Sequence, residues 1–197
     1  MTSWKIDTVH STISFLVRHM LVSRVHGTFN RWEGSFVFDE TDPAAGFATA
    51  RIAADSVYTN DATRDAHLRS SDFLDVERFP CISFRSTRVS MLDVGGSGLN
   101  ADKERKLQVA GALTIRGVTR EVLLDVELGG RMRGPDGVVR IGFSARTTIH
   151  RRAFGIVFNQ MLDAGGLALG DKLEIAIEIE AVREAELQAQ PQRQVAG

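Results

Sequence analysis

Residues 63 to 75 read TRDAHLRSSDFLD and concentrate the chemically capable side chains of this chain. Arg64, Asp65 and His67 stand close together, and Asp72 and Asp75 flank Phe73 and Leu74. An aspartate and a histidine near a serine suggest acyl transfer, with the histidine as general base. Asp65 and His67 are two apart, however, and on a helix such residues do not face each other. No Gly-x-Ser-x-Gly elbow occurs elsewhere. The same run also reads as a structural unit. Thr59, Asn60 or Asp61 can cap a helix, with Asp61 and Asp65 near its positive end. Asp65 and Arg69 are four apart and can pair. Ser71 can cap a second short turn, with Phe73 and Leu74 pinning it down. That reading leaves Arg64 and His67 least explained.

The remaining chemistry is sparse. The histidines are His10, His19, His26, His67 and His150. His10 and His19 are an odd number of residues apart, so on one regular strand they point to opposite faces. No CxxC or HExxH spacing is present, so no metal centre is expected. GGSG at 95–98 and AGGLALG at 164–170 lack the setting of a phosphate-cradling loop.

These residues must be held by strands. STISFLVRH places Ile13, Phe15 and Val17 on one face. VHGTFNRWEGSFVFD reads as one long curved strand, bent near Gly27 and Gly34. FATARIAADSV aligns Ala48, Ala50, Ile52 and Ala54, small residues that leave room inside. CISFRSTRVSM carries Ile82 and Phe84, with a second register from Val89 to Met91. KLQVAGALTI, VTREVLLDVEL, GVVRIGFSART and KLEIAIEIEAV continue the alternation, the last setting Leu173, Ile175, Ile177 and Ile179 against Glu174, Glu178 and Glu180. RGV at 116–118 and GPDGV at 134–138 suit tight turns. DVGGSGLNADKE reads as a loop.

About eight strands in a meander predict an all-β fold with a short helical segment: an eight-stranded antiparallel barrel whose interior holds side chains or one small ligand. A two-sheet sandwich is the competing arrangement. At 197 residues the chain suits one domain, read as 1–183, with a polar tail over 184–197 expected to be disordered. Its 24 basic and 25 acidic residues offer no nucleic-acid footprint. The lone Cys81 can form no internal disulfide. No segment reads as a secretion signal or a bilayer span, which predicts a soluble, cytoplasmic protein with at most transient membrane contact.

Alternation assigns Ile13, Phe15, Val17, Phe29, Phe36, Ile52, Phe84, Val109, Leu124, Phe143, Ile175 and Ile177 to the interior. The connection from His150 to Gly170 is long and apolar. Its Phe154, Ile156, Val157, Phe158, Met161 and Leu162 either form a lid or plug one barrel end.

Several segments in order resemble a known family. They are W-K-I-D-x-x-H-S-x-I-x-F-x-V-R-H at 4–19, G-T-F at 27–29, R-D-x-H-L-x-S-x-D-F at 64–73, F-P-x-I-x-F at 79–84, G-x-L-T-I-R-G-V-T at 111–119 and F-G at 154–155. The chain resembles the YceI-like family, the lipocalin-like polyisoprenoid-binding barrels. Leu74, His150 and Ala153 depart from the family pattern, which favours Phe, Asn or Asp, and Asp there. The resemblance implies a lipocalin-like β-barrel with an internal apolar pore, and an isoprenoid lipid, a polyprenyl chain or a quinone or its precursor, as ligand. It implies homodimers in some members and brings no catalytic residues or covalent cofactor. The expected function is therefore non-enzymatic binding, storage or transport of that lipid, with Phe154 and Phe158 added to the lining. The competing readings are an enzyme using His67 or His150 on an apolar substrate at the barrel mouth, and a side-chain-filled interaction module.

Overall fold

The computed structural model describes residues 2–20, 22–39, 41–92, 106–160 and 168–184. The strands among them are β1 (Thr2–Ile6), β2 (Thr12–His19), β3 (Ser23–Phe29), β4 (Trp32–Phe38), β5 (Phe47–Ala53), β6 (Val57–Tyr58), β7 (Cys81–Leu92), β8 (Lys106–Ile115), β9 (Val118–Arg133), β10 (Val139–His150) and β11 (Leu169–Arg183). One helix, α1 (Ala62–Arg69), follows β6. Three pairs of short strands act as single staves. β11 pairs with β2 along Leu169–Glu178 and with β1 along Ala181–Arg183. β3 and β4 pair with β2 and β1, and β6 and β5 pair with β3 and β4. Five single strands complete the ring, which closes where β1 meets β11. The result is a closed antiparallel eight-stave barrel, and the sandwich is excluded because no sheet edge separates two layers.

The breaks between paired strands correct the reading of residues 25–39 as one strand. The interruption falls at Asn30 and Arg31, away from both glycines. There the Asn30 amide donates to the Ser56 carbonyl at 3.1 Å, and the Ala53 amide to the Arg31 carbonyl at 2.9 Å. Gly27 instead serves close approach. It faces Phe15 in register, and a Cβ on it would lie 2.2 Å from the Phe15 ring. Gly27→Ala must push that ring aside, and is expected to cost about 1–3 kcal/mol. Urea denaturation checks this: an unchanged midpoint would show that the ring moves freely.

The turns follow their residues. Arg116 and Gly117 have φ of 51° and 72°, the two left-handed positions of a tight hairpin between β8 and β9. The Gly134 amide donates to the Val138 carbonyl at 2.9 Å in the turn between β9 and β10. The register shift between Ser86 and Arg88 matches the second register expected in β7.

The polar run resolves into α1 and a series of turns, not two helices. Asp61 is the N-cap, accepting from the Arg64 amide at 2.9 Å. The expected Asp65–Arg69 pair does not form. Buried Asp65 accepts from the Thr59 amide at 2.9 Å and its hydroxyl at 2.6 Å. Arg69 donates to the carbonyls of Asp55 and Val57 at 2.7 and 3.0 Å. Each finds a backbone partner fixed by the β5–β6 stave, which a solvated side-chain pair does not match. Ser70, not Ser71, caps the following turn: its Oγ accepts from the Asp72 amide at 3.3 Å and donates to the His67 carbonyl at 2.8 Å.

Apolar packing is concentrated at two levels. Near α1 it gathers Ile13, Ile52, Phe73, Ile82, Leu113 and Phe154. At the opposite end it gathers Trp4, Phe38, Leu107, Val126, Ile141 and Ala181. The expected loop over 93–104 lies outside the described residues, as do residues 185–197 of the expected tail.

Candidate ligand-binding cavity

Inside the barrel lies a cavity of about 660 Å³. Its size falls in the range of roughly 300–1,000 Å³ typical of small-molecule sites. Every strand alternates apolar residues toward this space, and the inward positions of all eight staves converge on it. The assigned residues Ile13, Phe15, Val17, Phe29, Phe36, Ile52, Phe84, Val109, Leu124, Phe143, Phe154, Phe158, Ile175 and Ile177 all line it. Ala48 and Ala50 also line it, where a larger side chain would take up space.

The end away from α1 is closed by aromatic rings. Phe143 packs edge-on against Phe36 and Phe38, with centroids 5.2 and 5.3 Å apart. Trp4 stacks on Phe36 at 6.4 Å. Ring edges meeting ring faces satisfy the aromatic quadrupole, and the Trp4 indole N–H donates to the Phe38 carbonyl at 3.4 Å.

The other end carries a polar rim, of which the sequence reading placed His67 at the barrel mouth but missed Arg151 and Thr63. The first turn of α1 brings Asp61, Thr63 and Arg64 to the lining, and His67 follows one turn later. Arg64 donates to the Thr59 hydroxyl and carbonyl, both at 2.7 Å. The His67 ring meets Phe73 and Phe158 edge to face, each at 4.9 Å. Its Nε2 lies 2.9 Å from Asp72.

Across the mouth, residues Arg151–Phe154 form a 3₁₀ turn that ends at Gly155, whose φ is 75°. Phe154 is buried, so this residue plugs the barrel end, while Ile156 and Phe158 continue along the lining. Val157 points out to solvent instead, against the expectation that it covers the mouth. Met161 and Leu162, the rest of the expected lid, lie outside the described residues.

Arg151 organises this segment and is only 3% exposed. Its Nη1 donates to the carbonyls of Ile156 and Phe158 at 2.8 and 2.7 Å, and its Nε to that of Gly170 at 3.0 Å. Burial lowers its pKa, Arg152 adds to this, and Asp171 opposes it. Asn159 ties the two sides of the segment together, donating to the Leu169 carbonyl at 2.6 Å and accepting from its amide at 2.9 Å. The charged side chains of the lining are thus Asp61, Arg64 and Arg151, all at this rim.

The two histidines considered for chemistry separate. His67 belongs to the rim. His150 sits outside on β10, hydrogen-bonded to Asp171 at 2.9 Å and absent from the lining. An enzyme that uses His150 on a substrate in the cavity is therefore not what the geometry offers.

Among the described residues, Asp7, His10 and Glu180 bring possible metal ligands together on the outside of the barrel. Their hydrogen bonds are already used internally. Asp7 holds His10 at 2.9 Å, an interaction that lowers the Asp7 pKa and raises that of His10. Glu180 takes Arg140 at 3.2 Å. No described helix is long and apolar enough to cross a membrane.

Comparison with known proteins agrees with this geometry. A UPF0312 protein of Staphylococcus aureus strain USA300 is 34% identical over 181 residues, covering 91% of this chain and 97% of its own. Burkholderia cenocepacia BcnA has the same fold, with a TM-score of 0.73 at 22% identity over 89% of this chain and 98% of that one. So does a polyisoprenoid binding domain from Saccharophagus degradans, with a TM-score of 0.65 at 12% identity over 93% and 99%. The YceI-like domain model matches residues 4–181, which takes in every stave of the barrel and both ends of the cavity, and the chain belongs to that family.

Proposed function

We propose that this protein binds an isoprenoid lipid, a polyprenyl chain or an isoprenoid quinone or its precursor, and stores or carries it without chemical change. The observation that carries the reading is the cavity itself: apolar over most of its lining, walled by aromatic rings at one end and with its charged groups at the rim. A branched hydrocarbon tail suits such a lining. Each buried CH₂ contributes roughly 0.8 kcal/mol, so a five-carbon unit contributes about 4 kcal/mol before ordering costs. A head group with oxygen acceptors fits beside Arg64 and Arg151, whose guanidinium groups only donate. The Saccharophagus degradans domain, described as polyisoprenoid binding, supports the ligand class. The fourteen assigned lining residues would then contact the tail.

Native mass spectrometry of the purified protein, followed by solvent extraction, tests this directly. One isoprenoid or quinone per chain is expected. An empty protein that takes up no added polyprenyl lipid overturns the proposal. We further expect action from the cytoplasm and a homodimer, to be checked by cell fractionation and sedimentation velocity.

A further inference from the structure

The most exposed apolar side chains near the cavity rim are Val22 at 90%, Val157 at 66% and Met20 at 45%. They occupy the same end of the barrel. The Met20 amide donates to the Ala168 carbonyl at 2.7 Å, and the Ala168 amide to the Gln160 carbonyl at 2.9 Å. Gln160 and Ala168 line the cavity, and Val157 lies on the segment that leads to Gln160. Met20 and Val22 therefore project from the β2–β3 hairpin beside the mouth.

The charges around this hairpin are arranged unfavourably for an isolated protein. Arg18 and Arg24 face each other in register on β2 and β3, and both are exposed. Like charges directly opposite on paired strands repel. Among the described residues neither arginine has an ion-pair partner. On β11 the register shifts between Leu169, opposite His19, and Leu173, opposite Val17, so residues 170–172, with exposed Lys172, bulge across from Arg18. Arg152 is half exposed near the same edge, 3.9 Å from Asp171. The patch thus holds Arg18, Arg24, Arg152 and Lys172 against Asp171 and exposed Glu174, in a chain whose net charge is −1.

We infer that this edge docks on the surface of an anionic lipid bilayer. Cations clustered about protruding aliphatic side chains are the pattern of interfacial binding, in which apolar tips enter the acyl boundary and basic groups meet head-group phosphates. Base-stacking aromatics are lacking at the tips, which argues against a nucleic acid. The anionic surface relieves the Arg18–Arg24 repulsion, and docking places the rim where a hydrocarbon chain can pass between bilayer and cavity without crossing water. The exposed tips and facing arginines are independent of what fills the cavity.

Vesicle flotation of the full chain tests the inference. Phosphatidylcholine vesicles are compared with vesicles containing equal phosphatidylcholine and phosphatidylglycerol, at low and high salt. The protein is expected to float with the anionic vesicles and to be released by salt. Val22→Glu and the double variant Arg18→Glu/Arg24→Glu are each expected to weaken flotation by about tenfold or more. Farnesol uptake should be unchanged, since none of these side chains lines the cavity. No flotation with either vesicle overturns the inference, as does equal flotation of wild type and both variants. A concentration-dependent dimer abolished by the same substitutions, without vesicle binding, also overturns it and assigns the patch to a second copy of the chain.

Discussion

The double variant Ile52→Trp/Val109→Trp is expected to lose isoprenoid binding while keeping the barrel. Ile52 lies between Trp32 and Ile82 in register, at the level of the α1 end. Val109 lies between Val89 and Leu124, closer to the aromatic end. Both line the cavity, so indole rings at these positions obstruct it at two levels. A tail denied one five-carbon unit forfeits about 4 kcal/mol, and about 1.4 kcal/mol is a factor of ten in affinity. Binding should therefore fall by roughly a hundredfold or more. The stability cost is smaller, because both positions border the cavity and the new rings can turn into it, although Ile52 also packs in the cluster near α1. Overpacking costs about 1–3 kcal/mol, and in a chain of this size each kcal/mol moves the melting temperature by about 2–4 °C. Native mass spectrometry after incubation with a polyprenyl lipid, beside a thermal melt, separates the two effects. A folded double variant that still retains the lipid would show that the chain does not run past Ile52 and Val109.

The interior wall was legible in the sequence because each strand has one dry and one wet face. On β11 the run Leu173, Ile175, Ile177 and Ile179 lines the cavity while Glu174 and Glu178 face outward. The stave breaks left a subtler trace. In a continuous strand, residues an odd number apart face opposite sides. Phe29 and Phe36 both point inward, so a break between them is required, and it lies at Asn30 and Arg31. The same parity change separates Ile6 from Ile13 across the gap between β1 and β2, and Phe84 from Val89 across the β7 bulge. Over residues 25–39 that signal was read as bending at glycine, whereas in β7 it was read as a second register. The rim was not legible in the same way. Arg64, His67 and Arg151 meet only because α1 and the segment after β10 return to one barrel end. A buried arginine held by carbonyls has no local pattern that sets it apart from the exposed Arg152 beside it.

Arg151→Leu is expected to be the most damaging single substitution at the rim. The guanidinium reaches the carbonyls of Ile156 and Phe158 on one side of the mouth and that of Gly170 on the other, where its Nη2 also lies 3.5 Å from that of Leu169. Leu169 keeps Asn159 as a donor when the arginine is lost, whereas the other carbonyls lose a charged partner. Each buried acceptor left unsatisfied costs about 1–3 kcal/mol. The segment can recover part of that by lifting off and meeting water, so the net loss is expected near 3–5 kcal/mol. By the same scaling the melting temperature falls by roughly 10 °C. Arg151→Lys distinguishes the fork from the charge. An ammonium is a compact point charge that cannot span carbonyls placed on both sides of the mouth, so lysine should restore less than half of the loss. Hydrogen exchange localises the effect: amides of residues 155–160 and 168–170 should lose protection in both variants while β7 and β8 keep theirs. Uniform loss across the barrel would mean that Arg151 supports the whole fold, and full rescue by lysine would mean that its charge alone matters.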